Sequence, residues 1–334
     1  MSRSDVIVVG AGMAGLTAAR RLQEAGRAVQ ILEAAPHPGG RMATIHLDGD
    51  AADTGAQYFT AFTPRFQAQV HAWLAKGWIH LWSMGLASGS LAPNRTQGQL
   101  RYIAEGGMGR LAERLAQDLE IHCAQPVVAV EGAGGFWQVH TRSGTTFQAP
   151  ALVLTPPIPV ILELLQAGGV ALADEDRAAL SSVRYAPCIA GVFRFQGEVH
   201  VPPPGSVQRP AHAINWIADN RQKGLSQGPV LTVHANPDYS RRYWEAPELE
   251  IRETMLAALQ GYLGPEAQVI EARIVRWRHA LPESPLLQRA YAVSLPGEDS
   301  SEPTLVLGGD AFAGPRVEGA FLSGQAAASA LLQV

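Results

Sequence analysis

Gly10, Gly12 and Gly15 stand at G-x-G-x-x-G spacing, directly after the apolar run Asp5–Val9 and at the head of an amphipathic stretch. This pattern suits the pyrophosphate of a dinucleotide. Gly10 allows a tight turn out of a strand, Gly12 lets the backbone approach the phosphates, and Gly15 lets the following helix pack closely. The helix from about Ala14 to Glu24 turns free N–H groups and a positive dipole end towards the phosphates, and Met13 beside its start joins the cofactor set. Glu33 closes a second apolar run (AVQILE) and can accept hydrogen bonds from ribose hydroxyls. Just beyond it, Gly39 and Gly40 let the chain turn, and Arg41 can fork onto pyrophosphate oxygens, which favours FAD over NAD.

A matching set lies near the other end of the chain. The apolar run Thr304–Leu307 leads into Gly308-Gly309-Asp310, and Arg316-Val317-Glu318-Gly319-Ala320 opens a helix of small residues. Asp310 can take a ribityl hydroxyl. The helix start at Glu318, Gly319 and Ala320 can offer N–H groups to an electron-rich flavin edge. The plain alternative is a βαβ unit with no ligand and an Arg in a surface loop; the ordered strand, helix and acidic partner weigh against it.

Several elements must position these residues. The chain has 334 residues, 47% apolar and 17% charged, with a net charge of −4. That length suggests about two domains, and nothing in the charge points to a nucleic-acid partner. The nucleotide motifs at both ends require a Rossmann-like FAD-binding domain assembled from separated segments, 1–60, 100–180 and 290–334. The remainder, 61–99 and 181–289, forms an interleaved α+β substrate domain containing an antiparallel sheet, from strands at Ala190–Phe195, His212–Ala218 and Val230–Ala235. Val127–Val130, Phe136–Thr141 and Thr145–Gln148 read as a meander, and Val128 on it joins the cofactor set. Ala151–Leu154 is a buried strand, Gly197–Pro210 a surface loop, and Pro247–Leu263 a helix. Cys123 and Cys188 are far apart, which points to a reducing compartment without disulfides. No run of about eighteen apolar residues marks a membrane span, and the chain enters its first strand with no room for a signal peptide. The expected location is therefore cytoplasmic.

Further segments carry a resemblance: Gly55-Ala56-Gln57-Tyr58-Phe59-Thr60, Gly106-Gly107-Met108, Asn215-Trp216-Ile217-Ala218-Asp219-Asn220-Arg221, Val233-His234-Ala235 with Trp244, and Arg276-Trp277-Arg278 with Ala280 and Pro282. With the terminal motifs, they resemble the bacterial renalases, a compact branch of the FAD-dependent amine oxidase superfamily. Asn236–Tyr239 and Ser83–Thr96 depart from the pattern. The resemblance implies noncovalent FAD, with Gly55, Ala56 and Gln57 beside its ring. It also implies oxidation of 2- or 6-dihydro isomers of NAD(P): hydride passes to flavin N5, and O2 then takes the electrons to give hydrogen peroxide. Losing that hydride restores an aromatic ring, so no side chain has to remove a proton. The protein's task is orientation and exclusion of water.

Tyr58, Phe59, Trp216, His234 and Trp277 are the residues expected to orient such a substrate, with His234 as a hydrogen-bond donor. Trp216 and Trp277 read equally as core residues, and His234 as a satisfied core histidine. One rival is an amine oxidase, whose relatives commonly place a lysine on a substrate-domain strand; Tyr185–Phe195 has none. The chain's two lysines, Lys76 and Lys223, lie in a helix segment and a polar loop. A second rival is an FAD-holding binding module without turnover. The ten histidines form no ligand set for a metal. The expected partners are a small dinucleotide substrate and O2, while oligomeric state is left open.

Overall fold

The computed structural model describes residues 4–85, 98–293 and 304–333. Two compact units are threaded by alternating segments: Met1–Gly40, Ala112–Arg184 and Pro282–Val334 form the first, and Arg41–Leu111 and Tyr185–Leu281 the second. In chain order, the elements are β1 (Val6–Val9), α1 (Met13–Glu24) and β2 (Val29–Leu32); then β3 (Thr44–Leu47), β4 (Asp50–Asp53), α2 (Pro64–Ala75), β5 (Ile79–Ser83), β6 (Arg101–Ala104) and α3 (Met108–Ala116). There follow β7 (Glu120–His122), β8 (Val127–Ala133), β9 (Phe136–Thr141), β10 (Thr146–Ala149), β11 (Ala151–Leu154), α4 (Ile158–Ala167) and α5 (Asp174–Ser181). The fourth segment holds β12 (Tyr185–Gln196), β13 (Ser206–Gln208), β14 (Ile214–Asp219), β15 (Val230–Ala235), α6 (Pro237–Arg242), α7 (Glu248–Leu259) and β16 (Gln268–Pro282). The last holds β17 (Tyr291–Val293), β18 (Thr304–Leu307), α8 (Asp310–Ala313) and α9 (Val317–Leu332).

The first unit is a Rossmann-like α/β layer structure. Its sheet runs β17-β18-β11-β1-β2-β7, parallel except for β17. Runs such as VIVV and ALVL lack polar alternation because both sheet faces are covered. β1, β11 and β18 lie in register, with Val9 beside Leu154 and Leu154 beside Leu307. Their carboxyl ends therefore line up, the place where such sheets take ligands. The expected meander is the antiparallel sheet β10-β9-β8.

The second unit is built on the sheet β13-β14-β15-β12-β16. Phe193, Ile217, Leu231 and Val233 bury one core against Ile251, Met255 and Leu259 of α7. The hairpin β3–β4 packs Leu47 and Ala52 on Val192 and Val230 of this unit. That corrects the expected borders, because 41–60 and 100–111 go with the second unit. The expected loop Gly197–Pro210 is also corrected: Val199, Val201 and Val207 are buried in the core, and residues 206–208 form an edge strand. Residues 86–96 of the divergent stretch Ser83–Thr96 lie outside the described residues. Among the described residues, no helix is long and apolar enough to cross a membrane, and no cluster of metal-ligating side chains occurs.

Candidate functional site

In the first unit the three motif glycines answer to three different demands. Gly10 has φ +98°, a left-handed turn in which a Cβ would also lie 2.6 Å from Thr155 Oγ1. A Cβ at Gly15 would run into the carbonyl oxygen of Gly10. Gly12 has an ordinary φ of −79°, and a Cβ there would meet nothing within 4 Å. The protein's own packing therefore gives no reason for glycine at Gly12. A ligand pressed against that backbone does.

The surroundings fit the pyrophosphate and ribose of FAD. α1 starts at Met13 with no side chain capping it, so its first N–H groups are not taken by a cap. α9 likewise starts after Arg316 without a side-chain cap, and Glu318, Gly319 and Ala320 occupy its first turn. Met13 and Ala14 have buried side chains, so they can offer a ligand only backbone. Glu33 is buried at the end of β2; Oε2 accepts from Ala11 N at 2.6 Å and Oε1 from Ala35 N at 2.8 Å. It thus fastens the glycine loop while each oxygen keeps a lone pair for a ribose hydroxyl. Gly39 N bonds Ala11 O at 2.9 Å, and Gly40 lies beside Gly12. Gly309 N bonds Ser323 Oγ at 2.8 Å, and Asp310 is buried at the start of α8. Val128 sits at a register shift in β8 with its side chain exposed. Thr155 was missed by the sequence reading; its Oγ1 bonds Val9 O at 2.8 Å and ties the end of β1 to the loop after β11.

Arg41, Gly55, Ala56 and Gln57 belong to the second unit. Arg41 Nη1 donates to the carbonyls of His279 and Ala280, both at 3.3 Å, and its own carbonyl accepts from Ala56 N at 2.9 Å. Here an aromatic group forms around Tyr58. Its ring centroid lies 5.6 Å from that of Trp216 and 5.9 Å from that of Trp82, and the Arg101 guanidinium lies 5.3 Å from it. Trp216 is paired with His234 across β14 and β15.

The carbonyl of Thr54 collects two of the expected residues. It accepts from His234 Nε2 at 3.0 Å and from Trp277 Nε1 at 3.3 Å. Nε2 must therefore carry a proton, and in the neutral ring Nδ1 is bare. Burial pushes His234 down to about 4; the Thr54 bond opposes this and the Lys223 charge adds to it. The expected donor role is thus corrected: the donor is spent on the backbone, and the free nitrogen is an acceptor.

Phe59 is a second correction. It is buried against Phe66, Trp73 and Tyr102 and bridges Tyr102 through its backbone, so it is a core residue and not a pocket wall. Lys223 is a third. Its side chain is wholly buried, 2.9 Å from Asp53 Oδ2 and 3.2 Å from Gln57 Oε1. The signal for Lys223 was its rarity, since the chain has only one other lysine. Thr54 gave no signal, because it acts through its backbone.

Comparison with known proteins agrees with this fold. Residues 62–332 match the family described as flavin containing amine oxidoreductase, and residues 8–75 match an NAD(P)-binding Rossmann-like domain. A putrescine oxidase of Kocuria rosea is 50% identical over 56 residues, 17% of this chain and 12% of that protein. A lysine-specific histone demethylase 1 homolog of Oryza sativa subsp. japonica is 55% identical over 49 residues, 15% of this chain and 6% of that one. The matched stretches thus span a small part of these curated relatives. Among solved structures, a putative protoporphyrinogen oxidase from Exiguobacterium sp. 255-15 superposes with TM-score 0.73 at 17% identity, covering 100% of both chains. A putrescine oxidase bound to putrescine gives 0.71 at 16% identity, again over 100% of both. At those identities the likeness is one of fold.

Proposed function

The chain belongs to the flavin containing amine oxidoreductase family, with noncovalent FAD as its cofactor, and from that premise we propose that it is an oxidase of renalase type. Its substrate would be an isomeric 2- or 6-dihydro-NAD(P), with O2 as the final acceptor and NAD(P)+ and hydrogen peroxide as products. The flavin, when bound, supplies a hydride acceptor at N5 and passes two electrons on to O2. Gly10, Gly12, Gly15, Glu33 and Asp310 hold the cofactor in this reading.

The observation that carries the reading is the state of His234. Its N–H is committed to Thr54 O and its ring stays neutral down to about 4. A weak base of that kind suits a substrate that gives up hydride and no proton. Its bare Nδ1 can accept from the N–H of a carboxamide. Tyr58 and Trp277, both half-buried, offer apolar surface for a planar ring; Trp216, expected beside them, is instead a buried core residue that backs Tyr58. Lys223 donates to Asp53 and Gln57 and is wholly buried, so it is unsuited to taking up a substrate proton.

Amine oxidation is the second reading, favoured by the likeness to putrescine oxidases. Two observations weigh against it. β12, YAPCIAGVFRFQ, carries no lysine. An ammonium substrate would also share the Tyr58 ring with the Arg101 guanidinium. The test is anaerobic mixing of the FAD-loaded protein with each dihydro isomer and with a panel of amines. The expected outcome is rapid bleaching of the flavin by an isomer. Bleaching by amines, with none by any isomer, would replace this reading with the second.

A further inference from the structure

Lys223 has no part in the hydride chemistry above, yet its side chain is wholly buried with Asp53. Burying an ion pair costs desolvation of both charges, and a well-packed apolar pair of similar volume is often as stable. Stability therefore gives a weak reason for this pair. What the pair does hold is geometry. Asp53 Oδ1 accepts from Thr44 Oγ1 at 2.7 Å and from Met108 N at 2.8 Å. The Asp53 carbonyl accepts from Gln57 Nε2 at 2.7 Å and from Thr232 Oγ1 at 3.1 Å. The next carbonyl, Thr54 O, holds His234 and Trp277.

Lys223 follows β14, the strand that carries Trp216. Its ammonium can only donate, so Gln57 must turn its amide oxygen towards it. The amide nitrogen then faces the carbonyls of Asp53 and Gly55, which pins the segment leading into Tyr58. We infer that Lys223 is a positioning residue: its buried ammonium fixes Asp53 and Gln57, and through them the placement of Tyr58, His234 and Trp277 against a substrate. The inference rests on the reading that this face orients a substrate, whichever dinucleotide isomer that is.

The test uses the FAD-loaded protein and two variants. Lys223→Met combined with Asp53→Asn removes both charges, so neither is left buried alone. Gln57→Met breaks the amide contact and leaves the ion pair. Each variant is measured for FAD content, thermal midpoint, near-ultraviolet circular dichroism and limiting rate of anaerobic flavin reduction. The double variant should keep FAD, and both should lose the wild-type aromatic bands and reduce the remaining bound flavin about tenfold more slowly or worse. A folded double variant with wild-type bands and wild-type rate would make the pair merely structural. If the double variant does not fold, wild-type bands and rate in Gln57→Met overturn the inference by themselves. If no isomer reduces the wild-type flavin, the proposed substrate fails, and the aromatic bands still decide the role of Lys223.

Discussion

At His234 the protonated nitrogen is spent on Thr54 O, and burial holds the ring neutral to about 4 against an ordinary value of 6.5. The unfolded chain takes up that proton near the ordinary value and the folded chain does not, so the unfolded state binds more protons between the two. Stability should fall as pH is lowered through this window and gain nothing from His234 above it. Thermal midpoints measured from about pH 7 to 4.5 should show a shallower slope in His234→Gln than in the wild type; identical slopes would contradict the assignment. Trp277→Ala should slow flavin reduction about tenfold or more while FAD content stays near wild type. Loss of FAD with normal kinetics in the remainder would make Trp277 a packing residue. Residue chemistry was legible where a type is rare or motif-bound, as with Glu33 or Trp277. It was not legible where the backbone decides. Tyr58 and Phe59 are consecutive, yet Tyr58 meets Trp82 and Trp216 while Phe59 packs on Phe66 and Trp73, and only the fold says which of the two is core. The tautomer of His234 depends on a carbonyl 180 positions away.

The β1–α1 turn separates what the protein needs from what the ligand needs. Gly15→Ala forces the helix off the strand, so the apo-protein should lose stability and FAD affinity together. Gly12→Ala meets open space in the protein, so the apo-protein should melt near wild type while FAD affinity falls markedly. Equal melting losses in the two apo-variants would remove the ligand argument for Gly12. This element was readable because its signals are local: an apolar run, spaced glycines and an acidic partner. The hairpin β3–β4 was assigned to the wrong unit because its partners, Val192 and Val230, lie far along the chain. The valines of Gly197–Pro210 were hidden among prolines that read as loop.

At the scale of the whole molecule, noncovalent FAD predicts a yellow protein whose colour leaves the chain on denaturation. Colour that stays with the denatured polypeptide would contradict it. Bound cofactor should also raise the melting temperature as its concentration grows, by about 2.7 kcal/mol of stability at a hundred times its dissociation constant. The strand order β17-β18-β11-β1-β2-β7 has a consequence for synthesis. β1 is made first, but its neighbour β11 arrives at residue 151, and the neighbour of β11 arrives at residue 304. Translation must therefore pass residue 304 before the parallel sheet can close. Until then the nascent chain carries apolar strands with open edges, which are prone to aggregate. Truncation that removes β18 should consequently give insoluble chains even though the glycine loop after β1 is intact.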